Sequence, residues 1–216
     1  MMKSLVFVGL LASSANAQIP AEILNGVDTG NHGPSKAGVR DCDKADADQN
    51  AHFDKNMDNP AAAVFGGAKL GCTYLEHVAW KAPATKKLPA HNGKGPSAAD
   101  VAARAADFWA GGDDAAYVKV LGGGVLGSWQ ETVLSDTPGV SFARKLDVFH
   151  TIVAATGNNT TSCFVVYGEL YQRNGNHPDP HLPVAWSGSD YRASDWQRAQ
   201  KFDCPKGVKA PVPPKD

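Results

Sequence analysis

The chain has 216 residues, 43% of them apolar, and sets 21 Lys and Arg against 22 Asp and Glu for a net charge of -1. That length suits one domain with arms rather than several domains. Near-neutrality gives no global electrostatic pull toward nucleic acid or an anionic membrane surface, so neither is expected as a partner.

The N-terminus reads as a secretory leader. Lys3 supplies a positive start, Leu5, Val6, Phe7, Val8, Leu10 and Leu11 form an apolar run too short to span a bilayer, and Ala15-Asn16-Ala17 is an A-x-A cleavage site before Gln18. Residues 1–17 are therefore expected to be a signal peptide, and the protein to be secreted and to act extracellularly. Its four cysteines fit two disulfides in such a compartment. Three connectivities exist, and the sequence-nearest one, Cys42–Cys72 with Cys163–Cys204, is preferred. Each bridge is worth about 2–4 kcal/mol through restriction of the unfolded chain.

Residues 18–60 show neither helical nor strand periodicity and read as an irregular N-terminal arm. Within it, Asp46-x-Asp48-x-Asn50, beside Asp41 and Asp43, resembles the start of an EF-hand loop. Ala51 stands where that loop needs Gly and Met57 where it needs Glu, so a solvated acidic loop is preferred. From Ala61 to Trp80 two readings stay open. Thr73-x-x-Glu76 would cap a short helix with Leu75, Val78 and Ala79 inward, or Cys72, Tyr74, Glu76, Val78 and Trp80 would form one face of a strand. Residues 81–96 read as a loop.

The clearest helix follows. Ser97 and Asp100 make an S-x-x-D capping box, Val101, Ala105, Phe108 and Trp109 share a face, and Gly111-Gly112 stops it. Residues 113–121 fit a second short helix or, toward Leu121, a strand, and Gly122-Gly123-Gly124 reads as a flexible joint. Strands are expected over 125–134, 144–155 and 161–172, the last two forming a hairpin around Gly157-Asn158-Asn159. A short strand is expected over 182–186 and a short helix from Ser194 to Phe202, before a mobile Pro- and Lys-rich tail over 205–216. Residues 61–204 are thus expected to form a single α+β domain, a curved antiparallel sheet with one main packed helix and disulfide-stapled irregular arms.

Three constellations carry chemistry. A two-residue turn at Asn158-Asn159 would pair His150 with Tyr167 and Val148 with Glu169, so that His150, Tyr167 and Glu169 share a face as a candidate general-base set. A four-residue loop keeps that parity, whereas a three-residue loop turns Tyr167 and Glu169 away from His150. The bland reading of His150 is a half-buried ring that satisfies polar neighbours. His177, Asp179 and His181 are candidate ligands for a borderline metal such as zinc, although an extended prolyl segment does not aim residues two apart the same way, and a solvated loop is preferred. No cofactor is expected. Asn158 and Asn159 head overlapping N-glycosylation sequons, with an unmodified Asn-rich turn as the alternative.

The stretch from Ala98-Ala99-Asp100-Val101 through Phe108-Trp109-Ala110-Gly111-Gly112-Asp113-Asp114-Ala115-Ala116-Tyr117 resembles the helix, Gly/Asp turn and helix opening of NTF2-like (SnoaL-type) domains. The resemblance extends in strand order to Gln172, about a third of the chain. It implies long antiparallel strands curved around a pocket, and in enzymes of that family a pocket His with a carboxylate, for which His150 with Glu169 is the nearest match. The long arm and the disulfides depart from the family pattern. Two functions are therefore carried forward. One is a secreted, non-catalytic binding or effector-type protein that contacts a host molecule, a wall component or a small ligand. The other is an NTF2-like pocket enzyme (cyclase, isomerase or dehydratase) using His150 and Glu169.

Overall fold

A computed structural model describes residues 40–59, 61, 63, 67, 70–136, 139–174, 186–193 and 196–212. Helix α1 spans Cys42–Lys55, α2 Tyr74–Lys81 and α3 Ala98–Ala110. A single 3-10 turn at Ala115–Tyr117 leads into strand β1, Val118–Val125. The remaining strands are β2 (Gln130–Asp136), β3 (Gly139–Thr156), β4 (Thr160–Asn174), β5 (Trp186–Ala193) and β6 (Gln200–Phe202).

All six strands form one open antiparallel sheet. The β3–β4 hairpin is its spine. β1 and β2 pair end to end along the outer edge of β3, and β5 and β6 do the same along β4. This is the α+β class the sequence predicts, and both disulfides join the preferred pairs, Cys42–Cys72 and Cys163–Cys204. The first ties α1 to the segment leading into α2; the second ties β4 to the chain just after β6.

The two capping boxes set the helix starts. Thr73 and Glu76 exchange side-chain and backbone bonds at the head of α2, as do Ser97 and Asp100 at α3. The helical reading of 73–80 therefore prevails over the strand reading. α3 buries Val101, Ala105 and Trp109, spaced four apart, against one face of the sheet. One core cluster gathers Leu75, Val78 and Trp109 over Ile152, Phe164 and Val166; a second gathers Val101 and Val125 over Leu146, Val148 and Leu170. Burying each large side chain contributes about 1.5–3 kcal/mol.

Four local expectations are corrected. The acidic segment is helix α1, with Asp41 as its cap, and a helical backbone cannot wrap a cation as an EF-hand loop does. Two of its carboxylates hold α2 and the segment leading into it instead: Asp43 takes Lys81 at 2.6 Å, and Asp46 takes the Cys72 N–H at 3.3 Å and His77 at 3.2 Å. Gly122-Gly123-Gly124 is strand, not joint. A Cβ on Gly123 would lie 3.0 Å from both the Ala102 nitrogen and Val101 Cγ1, so the missing side chain lets α3 sit directly on β1. The segment after β5 forms a 3-10 turn at Trp196–Arg198 and then β6, not a helix to Phe202. Part of the expected mobile tail is docked: the Ala210 N–H donates to Thr161 Oγ1 at 3.3 Å.

Candidate functional site

The hairpin register decides the fate of the His150, Tyr167 and Glu169 set. Thr156 pairs with Thr160, so the connection is the three residues Gly157–Asn159, in which Asn158 and Asn159 take the left-handed φ values of 60° and 55°. Asn tolerates that region better than most residues, which lets an odd-length loop close here. Parity follows: His150 pairs with Val166, Phe149 with Tyr167 and Asp147 with Glu169. His150 points to the helix-covered face, and Tyr167 and Glu169 point to the other. The expected pairing of His150 with Tyr167 is corrected by one residue, and the three side chains do not converge.

On the far face Tyr167 donates to Gln200 Oε1 at 3.4 Å and lies under the Arg198 guanidinium. Glu169 takes Lys145 Nζ at 2.9 Å and the Tyr171 hydroxyl. Burial pushes the Glu169 carboxyl up, but these two bonds and the charges of Lys145 and Arg198 outweigh it and hold it below its ordinary value. Glu169 is thus an ion-paired carboxylate.

His150 is fully buried, and both ring nitrogens are engaged inside the protein. Trp109 Nε1 donates to His150 Nε2 at 2.9 Å. Indole nitrogen only donates, so Nε2 carries the lone pair and the neutral ring holds its proton on Nδ1. That proton is donated to the Tyr191 hydroxyl oxygen, 2.6 Å away. Burial lowers the His150 pKa to about 3, so the ring stays neutral. The Tyr191 hydroxyl is driven strongly upward by burial and by Tyr74, and stays protonated. Tyr191 fits because position 168 is glycine: a Cβ there would meet Tyr191 Oη at 2.6 Å and the Arg192 carbonyl at 2.8 Å. Gly168→Ala is expected to cost about 2 kcal/mol, read as a lowered urea midpoint, because backbone on one side and an anchored ring on the other cannot both yield.

One cleft among the described residues lies where α3 ends beside the head of α2. It is a cleft of about 390 Å³ walled by Tyr74, Phe108 and Trp109, with Gly111, Gly112, Asp113 and Asp114 along its other side and Thr73 at the head of α2. The three rings pack edge to face, with centroids 6.1 Å apart for Tyr74 and Phe108, 5.6 Å for Tyr74 and Trp109, and 5.4 Å for Phe108 and Trp109. Asp114 is only 4% exposed. It accepts the Leu75 N–H at 3.0 Å and the Thr73 hydroxyl at 2.8 Å, and so pins the head of α2 to the turn after α3. Burial raises its pKa to about 6 against the lowering effect of those two bonds, helped by the nearby charges of Glu76 and Asp113. Glu76, itself buried, is held by a fork from Arg40 at 3.0 and 2.9 Å. Asp113 is exposed at the rim.

Sequence reasoning missed Asp114 and Tyr191. The Gly-Asp turn was visible, but not that Asp114 would reach 39 residues back to Leu75. Tyr191 lies where no strand was anticipated. Of the other sequence candidates, His177, Asp179 and His181 fall outside the described residues. Among the described residues there is no group of three or more His, Cys, Asp or Glu placed to hold a metal, and no helix is long and apolar enough to cross a membrane. Comparison with protein-family models, curated proteins and solved structures finds no match to this chain.

Proposed function

We propose that the protein works outside the cell as a non-catalytic binding protein, and that its ligand is a small organic cation with an apolar body seated in the cleft between α2 and α3. The leader and the two disulfides support the compartment. The composition of the cleft carries the ligand class. The half-buried Tyr74 and Phe108 offer ring surface to an apolar body and a cation, with the buried Trp109 packed against both at the cleft wall. The negative end of the α3 dipole opens beside them, with no basic residue in the last turn to offset it. Asp113 adds a full negative charge at the rim. The NTF2-like enzyme alternative loses its pair, since His150 and Glu169 lie on opposite faces and both His150 nitrogens are occupied.

Three probes that share a phenyl ring and differ in charge separate the possibilities: benzyltrimethylammonium, benzyl alcohol and benzoate. Titrations followed by backbone amide NMR are expected to show the ammonium shifting Gly111, Gly112, Asp113 and the Trp109 indole. Asp113→Asn should weaken that binding by roughly three- to fivefold, the size of one exposed charge at a helix end. Equal binding of benzoate, or ammonium binding indifferent to Asp113→Asn, would sink the proposal.

A further inference from the structure

We propose that Asn158 carries an N-linked oligosaccharide, a modification that rests on the extracellular reading above. The observations are those of the hairpin tip. Asn158, Asn159, Thr160 and Thr161 are all exposed, and Asn158 is the middle residue of the three-residue connection, farthest from both strands. Each Asn heads a sequon, and each sequon depends on the Thr hydroxyl two residues on. The two hydroxyls differ. Thr161 Oγ1 is held by the Ala210 N–H at 3.3 Å, whereas Thr160 Oγ1 has no hydrogen bond among the described residues. The side-chain bonds at the base of the tip do not involve Asn158: Thr156 Oγ1 donates to the Thr160 carbonyl at 3.0 Å and shares a 3.0 Å hydrogen bond with Ser162 Oγ. A sugar on Asn158 therefore projects into solvent without breaking a contact. Adjacent modification of Asn159 is then blocked by the bulk of the first glycan, so the tip holds one.

The donor is a polyprenyl-pyrophosphate-linked oligosaccharide, delivered by a membrane oligosaccharyltransferase. Asn158 Nδ2 attacks the anomeric carbon, the N–C bond forms as the C–O bond to pyrophosphate breaks, the lipid pyrophosphate leaves with the electron pair, and one amide proton passes to base.

The test is secretion of the full chain, with its own leader, from a yeast host. Thr160→Ala removes only the Asn158 sequon and Thr161→Ala only that of Asn159. Wild type in the medium is expected to carry one glycan, released by peptide N-glycosidase, with heavy-oxygen deamidation at residue 158. Thr161→Ala should keep it, and Thr160→Ala should lower occupancy by roughly fivefold or more. Unmodified wild type in the medium overturns the glycan and leaves the extracellular reading standing. A glycan kept in Thr160→Ala but lost in Thr161→Ala overturns the choice of Asn158. Chain retained in cells with its leader uncleaved overturns both readings.

Discussion

Replacing His150 with Leu is expected to destabilise the protein by about 4 kcal/mol, because it strands a buried donor, Trp109 Nε1–H, and the hydroxyl acceptor of Tyr191 at once. Trp109 Nε1–H donates to Nε2 in a buried bond, and the half-buried Tyr191 hydroxyl accepts from Nδ1–H. Each unsatisfied group costs about 1–3 kcal/mol, and leucine fills enough of the imidazole volume to keep cavity formation secondary. The asymmetry of buried hydrogen bonds provides the control. Trp109→Phe and Tyr191→Phe added to His150→Leu remove the stranded polar groups, and urea denaturation of the triple variant should recover more than half of the loss. A triple variant no better than the single would mean that shape, not polar satisfaction, governs the site. The same experiment separates a structural histidine from a catalytic one, since a general base is not restored by deleting its neighbours.

The network explains what was legible in the sequence and what was not. Capping boxes are local, four-residue signals, and those at Thr73 and Ser97 mark the heads of α2 and α3 correctly. The two long strands were legible from their β-branched and aromatic content, and the disulfide pairs from separation along the chain. Register was not, because it hinges on whether the turn holds two, three or four residues, and Asn158-Asn159 permits more than one. One residue of loop length moved Tyr167 and Glu169 to the opposite face. Gly122-Gly123-Gly124 misleads for a related reason. Composition describes conformational freedom, whereas the demand at Gly123 comes from a helix that packs from about 20 residues upstream. Asp114 and Tyr191 act on partners 39 and 41 residues away, and only the assembled fold brings them together.

The two buried titratable groups pull stability in opposite directions with pH. His150 has a folded pKa near 3 against an ordinary 6.5, so its unfolded form binds the proton first. Its contribution is complete above pH 6.5 and is lost as pH falls toward 3, at about 1.4 kcal/mol per unit. Asp114 has a folded pKa near 6 against an ordinary 3.8. Its folded form keeps the proton longer, so its contribution is complete below 3.8 and is lost as pH rises to 6, at the same slope with opposite sign. Between pH 4 and 6 the two cancel, and only their difference remains outside that window. Asp114→Asn should uncover the histidine. An Asn amide does not titrate; its oxygen can accept from the Leu75 N–H, and its nitrogen can donate to Thr73 Oγ1 in place of the bond that Asp114 accepts from that hydroxyl. The variant is expected to match wild type at pH 4 and to gain about 1.4 kcal/mol per unit relative to it, reaching about 3 kcal/mol above wild type at pH 7. His150→Gln, which offers the same two partners a neutral donor and acceptor, should show the reverse slope over the same range. Urea denaturation of the three proteins from pH 3.5 to 7.5 measures this directly, and the surface carboxylates they share drop out of the differences. Parallel curves for wild type and Asp114→Asn would mean that Asp114 binds its proton equally in the folded and unfolded chain, and that burial does not raise its pKa.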